Sequence, residues 1–217
     1  MKRLGVLVLG LFPLVGCQQV NQPSEKKVDS PTTEQVYQAI VSDYETALHA
    51  EDRKLPEGSL VNPISLDMTW RYGGFEEVTV VSQEVDLDQD GQKELLVGAK
   101  VPGDEQEWTI YTGAYGVLEG QVVDLLAPIL VEESDNMLVF YTNNRLSVNQ
   151  ARSDATLVTA VYQLKGASFE ELAYFEMPLG GDASRARDRR GTLYSQEDSE
   201  EVLTTALEHG WEEEVLQ

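Results

Sequence analysis

Two stretches of this chain space their apolar residues as one face of a helix, and a series of short strand-like runs lies between them. Val36, Tyr37, Ile40, Tyr44, Ala47 and Leu48 form a single stripe on a predicted helix over 32–48. Thr32 and Gln35 supply a capping box at its start. Near the other end, Ser199 is placed to cap a helix carrying Val202, Leu203, Ala206 and Leu207, with Gly210 closing it. Strands are predicted over 77–85, 94–100, 107–112, 121–126, 137–141, 156–164 and 169–177, all rich in Val, Thr, Tyr and Leu. Turn residues separate them: Pro102-Gly103-Asp104, Gly120, Asn143-Asn144 and Lys165-Gly166. Such short turns favour antiparallel pairing. Residues 54–75 read as loop-rich, marked by Pro56, Gly58, Pro63 and Gly73-Gly74, and 178–194 read as a second long loop. The expected fold is α+β: an antiparallel β meander or sheet with an N-terminal and a C-terminal helix packed on it, forming one domain over 32–217.

The first residues follow a different pattern. Lys2 and Arg3 precede an apolar run over 4–14, and Leu14-Val15-Gly16-Cys17 follows. A basic start, an apolar middle and small residues at the end predict a signal peptide over 1–16, too short to serve as a membrane span. Cys17 is the only cysteine and stands where a bacterial lipobox places the residue that receives diacylglycerol. Lipidation at Cys17 is therefore expected, with a tether over 17–31 that is polar and lacks periodicity. A flexible chain of that length reaches about 20 Å on average. No later stretch approaches the ~20 apolar residues of a membrane helix, so the predicted link to the membrane is the lipid alone. The expected location is the cell membrane, lipid-anchored, on the extracytoplasmic side. With one cysteine, no intramolecular disulfide can form.

Charge narrows the partners. The chain carries 38 Asp+Glu against 16 Lys+Arg, a formal net charge of −22, and loss of Lys2 and Arg3 with the signal peptide makes it more negative still. Nucleic acid is excluded as a partner, because such binding rests on Lys and Arg displacing counterions. Anionic lipid repels the domain for the same reason, so it stands off the membrane. The 41% hydrophobic content places it among folded domains rather than disordered chains.

The segment Asp86-Leu87-Asp88-Gln89-Asp90-Gly91-Gln92-Lys93-Glu94 carries the most specific chemistry. Asp86, Asp88 and Asp90 alternate, Gly91 follows, and Glu94 comes three residues later, which is the ligand spacing of a calcium loop. Calcium takes 6–8 hard oxygen ligands. Alternate carboxylates curl toward one point, the carbonyl of Gln92 adds a neutral ligand, and Glu94 closes the far side. Position twelve, counted from Asp86, is Val97, where an EF-hand has its bidentate glutamate, and the flanks read as strands rather than helices. The loop thus resembles the strand–loop–strand calcium sites of integrin-type repeats. It occurs once, without a repeating period, which argues against a propeller. Without the bidentate glutamate, affinity in the roughly 10⁻⁴–10⁻³ M range of extracellular modules is expected. Ca2+ would then be a structural cofactor, stiffening a hairpin.

In its order of features, Cys17, the tether, Tyr37 and Tyr44 on the first helix, then Asp86 through Leu96, the chain resembles small lipoproteins of low-GC Gram-positive bacteria. The resemblance implies membrane anchoring and a calcium loop, and brings no activity with it.

Enzyme chemistry has little support. His49 and His209 both fall in the last turn of predicted helices, where an imidazolium complements the helix dipole. No GxSxG, HExxH, P-loop or dinucleotide fingerprint is present, and no catalytic residue is assigned. Arg185, Arg187, Arg189 and Arg190 lie close together and, with Trp70, form a candidate partner surface for a cell-wall polymer or an envelope protein. The expected function is that of an extracellular binding or interaction module. The alternatives are an accessory or inhibitor lipoprotein of an envelope protein, and a cell-envelope hydrolase using paired carboxylates.

Overall fold

A computed structural model describes residues 31–75, 78–102, 107–179, 185–208 and 216. Cys17, Gly103, Asp104, His209, Gly210 and Trp211 lie outside these, as do the signal peptide and residues 17–30 of the tether. The described residues belong to one compact unit, Pro31–Gln217.

Two antiparallel meanders make up the fold, rather than one. The first sheet runs β1 (Val80–Val85), β2 (Glu94–Val101), β3 (Trp108–Leu118) and β4 (Gln121–Asp124), in that order. The second comprises β5 (Ser134–Phe140), β6 (Arg145–Arg152), β7 (Thr156–Leu164), β8 (Phe169–Pro178), β9 (Arg185–Arg187) and β10 (Leu193–Ser195), again in sequential order. Three helices accompany them: α1 (Thr33–His49), α2 (Pro63–Tyr72) and α3 (Gln196–Leu207). The expected α+β class, with a helix at each end, is what the structure shows.

Side-chain alternation on the strands sorts the core into layers. Leu95 and Val97 of β2 and Tyr115 of β3 face α1, where Tyr37, Ile40, Tyr44 and Ala47 cover them. Leu96 and Ala114 face the opposite way and meet Leu138, Phe140, Leu146 and Val148 of the second sheet. The far side of that sheet packs Val161, Ala173 and Phe175 against Leu203 and Leu207 of α3. The sheets are thus sandwiched between two helices, and burying each such Leu, Ile or Val stabilises by about 1.5–3 kcal/mol. Gly98 allows the β2–β3 pairing, since a Cβ there would stand 1.9 Å from the carbonyl oxygen of Ile110.

The structure corrects several expected elements. The stretch read as a loop around Pro63 contains α2: Asn62 caps it by accepting from Ile64 N–H at 2.9 Å, and Pro63 occupies the first turn. Proline at that position loses no helical hydrogen bond, so it starts the helix rather than breaking it. β6 occupies a stretch whose polar residues predict no strand. The loop over 178–194 contains β9 and β10. Ser195, not Ser199, caps α3, accepting from Asp198 N–H at 3.1 Å, while Ser199 is buried inside the helix. That helix ends with Glu208 at φ 65°.

Candidate metal site

The loop joining β1 to β2 is shaped by its own carboxylates. Asp86 Oδ2 accepts from Gly91 N–H at 3.1 Å, Asp88 Oδ1 from Asp90 N–H at 3.2 Å, and Asp90 Oδ1 from Gln92 N–H at 2.7 Å. Gly91, at φ 91°, takes the left-handed turn that a side chain would strain. Gln89 also sits there, at φ 62°. Between the aspartates, Leu87 points inward and is buried in the core between the sheets, which fixes the loop from beneath.

This folding brings together oxygens of Asp86, Asp88 and Glu94, all within 4.8 Å of one another. Oxygens bound to one calcium at 2.3–2.6 Å lie at most about 5 Å apart, so the spacing suits a single ion. Asp86 Oδ1 is buried with no hydrogen-bond partner among the described residues. Glu94, only 4% exposed, accepts from Leu87 N–H at 2.9 Å through Oε2. Burial pushes its carboxyl up to about 7, opposed by the Leu87 hydrogen bond and reinforced by the charges of Asp88 and Asp90. Among the described residues no basic side chain pairs with these acids, and the site therefore favours either a proton on Glu94 or a cation among the oxygens.

Of the four acids expected as ligands, Asp86, Asp88 and Glu94 converge and Asp90 does not join them. Asp90 is exposed and turns its carboxylate to the backbone and side chain of Gln92. Two supports come from distant parts of the chain. Asp88 Oδ2 accepts from Gly166 N–H at 2.6 Å, joining the loop to the β7–β8 turn of the second sheet. Tyr37 of α1 donates to the carbonyl of Lys93 at 2.9 Å. Burial and the charges of Glu94 and Glu84 raise the Tyr37 phenol to about 12, so it remains a neutral donor. Lys165-Gly166 was visible in the sequence only as a turn, and nothing in it pointed toward Asp88.

The other candidates separate in space and in state. The Trp70 indole N–H donates to the carbonyl of Phe75 at 2.8 Å, and the Arg53 guanidinium lies 3.5 Å from its ring centre. That ring face is already covered. Arg189 grips Glu171, with its Nη2 at 2.7 Å, and lies 3.4 Å over the Tyr174 ring. The backbone N–H of Arg190 donates to Asp188 at 2.9 Å, while Arg185 and Arg187 are exposed on β9. His49 closes α1, its Nδ1 2.6 Å from the carbonyl oxygen of Glu45. A groove of about 660 Å³ beside α2 holds Arg71 between Asp67, at 2.9 Å, and Asp135, at 2.5 Å. These carboxylates are bound to a guanidinium rather than free as an acid–base pair. Among the described residues, no helix is long and apolar enough to cross a membrane.

No protein-family profile matches the chain, and neither the curated proteins nor the solved structures contain a significant match.

Proposed function

We propose that this protein is a membrane-anchored extracellular binding module in which calcium in the β1–β2 loop locks the two sheets together. The convergence of Asp86, Asp88 and Glu94 around the buried, unpartnered Asp86 oxygen carries this reading. A cation there neutralises the cluster and replaces the proton that Glu94 otherwise favours. Three carboxylates from one loop leave the remaining ligands to backbone carbonyls and water, consistent with a weak site of about 10⁻⁴–10⁻³ M. Calcium outside a cell is abundant enough to fill it. The ion would be structural: it stiffens the hairpin and, through Asp88 and Gly166, the junction between sheets.

Thermal melting tests the metal. Millimolar calcium raises the melting temperature of the wild-type protein, and Asp88→Asn removes the increase while keeping an oxygen to accept from Gly166. Identical wild-type curves in calcium and in EDTA would refute the site. The anchor is tested separately: Cys17→Ser releases the protein into the medium, and retention at the membrane counts against lipidation.

A further inference from the structure

β9 reads Arg185-Ala186-Arg187, and strand alternation divides it cleanly. Ala186 is buried beneath α3, which places both arginines on the opposite face of the sheet. Side chains two residues apart on a strand stand about 6.5–7 Å from each other. Register extends this face: Leu193 of β10 lies opposite Arg187, Ser195 opposite Arg185, and Glu176 of β8 opposite Arg187. Leu193 is 50% exposed.

Two other arginines occupy the same region, and both are engaged. Arg152 reaches Glu176 at 3.4 Å, and Arg189 binds Glu171 while covering Tyr174. Arg185 and Arg187 have no carboxylate partner among the described residues, in a chain with more than two acids for every Lys or Arg. Two exposed guanidiniums beside an exposed leucine match the arginine-rich, partly apolar make-up of protein interfaces. Glu171 and Glu176 already show how carboxylates are held here.

The size of the face favours a short ligand. β9 spans three residues, about 10 Å of strand. A patch of that length accommodates a short segment rather than a long polymer. We propose that the face formed by β8, β9 and β10 docks an acidic segment of a partner protein, with Arg185 and Arg187 gripping its carboxylates and Leu193 meeting an apolar neighbour. This rests on the reading of the protein as a binding module.

The test titrates the full chain, in millimolar calcium, against a fluorescein-labelled peptide of glutamate and leucine, read by anisotropy. Saturable binding is expected. Arg185→Gln with Arg187→Gln should weaken it by about tenfold, a loss of roughly 1.4 kcal/mol. The charge-matched control Arg53→Gln with Lys100→Gln should leave it unchanged. An equal loss in the control reduces the effect to net charge and overturns the proposal, as does the absence of saturation. Tighter binding of inorganic polyphosphate through Arg185 and Arg187 overturns it in favour of a phosphate polymer. Melting curves of the same samples separate the two readings: a calcium-responsive protein that fails to bind peptide counts against the docking face alone.

Discussion

Acidic side chains are held in two different ways in this molecule, on strand β8 and in the β1–β2 loop. On β8, Glu171 and Glu176 each meet an arginine, Arg189 at 2.7 Å and Arg152 at 3.4 Å, at a partly open surface. In the β1–β2 loop, Asp86, Asp88 and Glu94 converge with no guanidinium or ammonium paired to them among the described residues. The first arrangement is complete as it stands, and water screens what remains. The second is not, and Glu94 shows it by holding its proton up to about pH 7. A buried acid needs a partner, a proton or an ion. Density of acids along the chain does not distinguish these cases; burial does.

The comparison can be broken most severely from beneath the loop. Leu87→Ala removes the side chain that anchors the loop in the inter-sheet core and should destabilise the protein by about 2–5 kcal/mol. Urea unfolding measures this, and a loss below about 1 kcal/mol would mean that the carboxylates, not the core, hold the loop.

Protonation gives a smaller and more specific effect. Glu94 has a carboxyl raised from the ordinary 4.5 to about 7, so the folded protein binds its proton more tightly than the unfolded chain does. Without metal, the stability from this group is fully present below about pH 4.5 and is lost as pH rises through 7. Calcium competes for the same oxygens, so its stabilising effect grows over that window and binding releases a proton. Glu94→Gln should flatten the metal-free pH dependence and abolish the calcium response together. Melting curves from pH 4 to 8, with calcium and with EDTA, report both; a calcium response in Glu94→Gln equal to wild type removes Glu94 from the site.

The smallest effect belongs to the arginine side. Arg189→Gln removes an exposed ion pair and a cation–π contact, which together should contribute about 1 kcal/mol or less. Thermal melting should show a slight loss and an unchanged calcium response. A large loss would mean that this side also depends on its charges for folding.

Local rules made much of this legible. The capping box of α1 forms as expected, with Thr32 N–H donating to Gln35 at 2.9 Å, because its partners are three residues apart. β7 occupies the expected residues, and β1 and β2 flank the acidic loop as strands. The sequence of β6 does not read as a strand because its polar residues find distant partners: Gln150 donates to the carbonyl of Ile129 at 2.8 Å and to Asn136 at 3.0 Å. Those bonds satisfy polar groups in a buried strand that periodicity alone reads as unsuited to burial. β9 and β10, three residues each, are too short for any pattern to register.

The sequence by itself determined the α+β class, the helix at each end, the acidic loop between strands and the excess of acid. Each follows from spacing within a few residues or from composition. Only the tertiary structure decided that the strands divide into two sheets, that Asp86, Asp88 and Glu94 meet while Asp90 turns away, and that Arg185 and Arg187 have no carboxylate partner among the described residues. The reason is physical: a carboxylate's state depends on burial and on what approaches from elsewhere. For Asp88 that neighbour is Gly166, seventy-eight residues further along the chain.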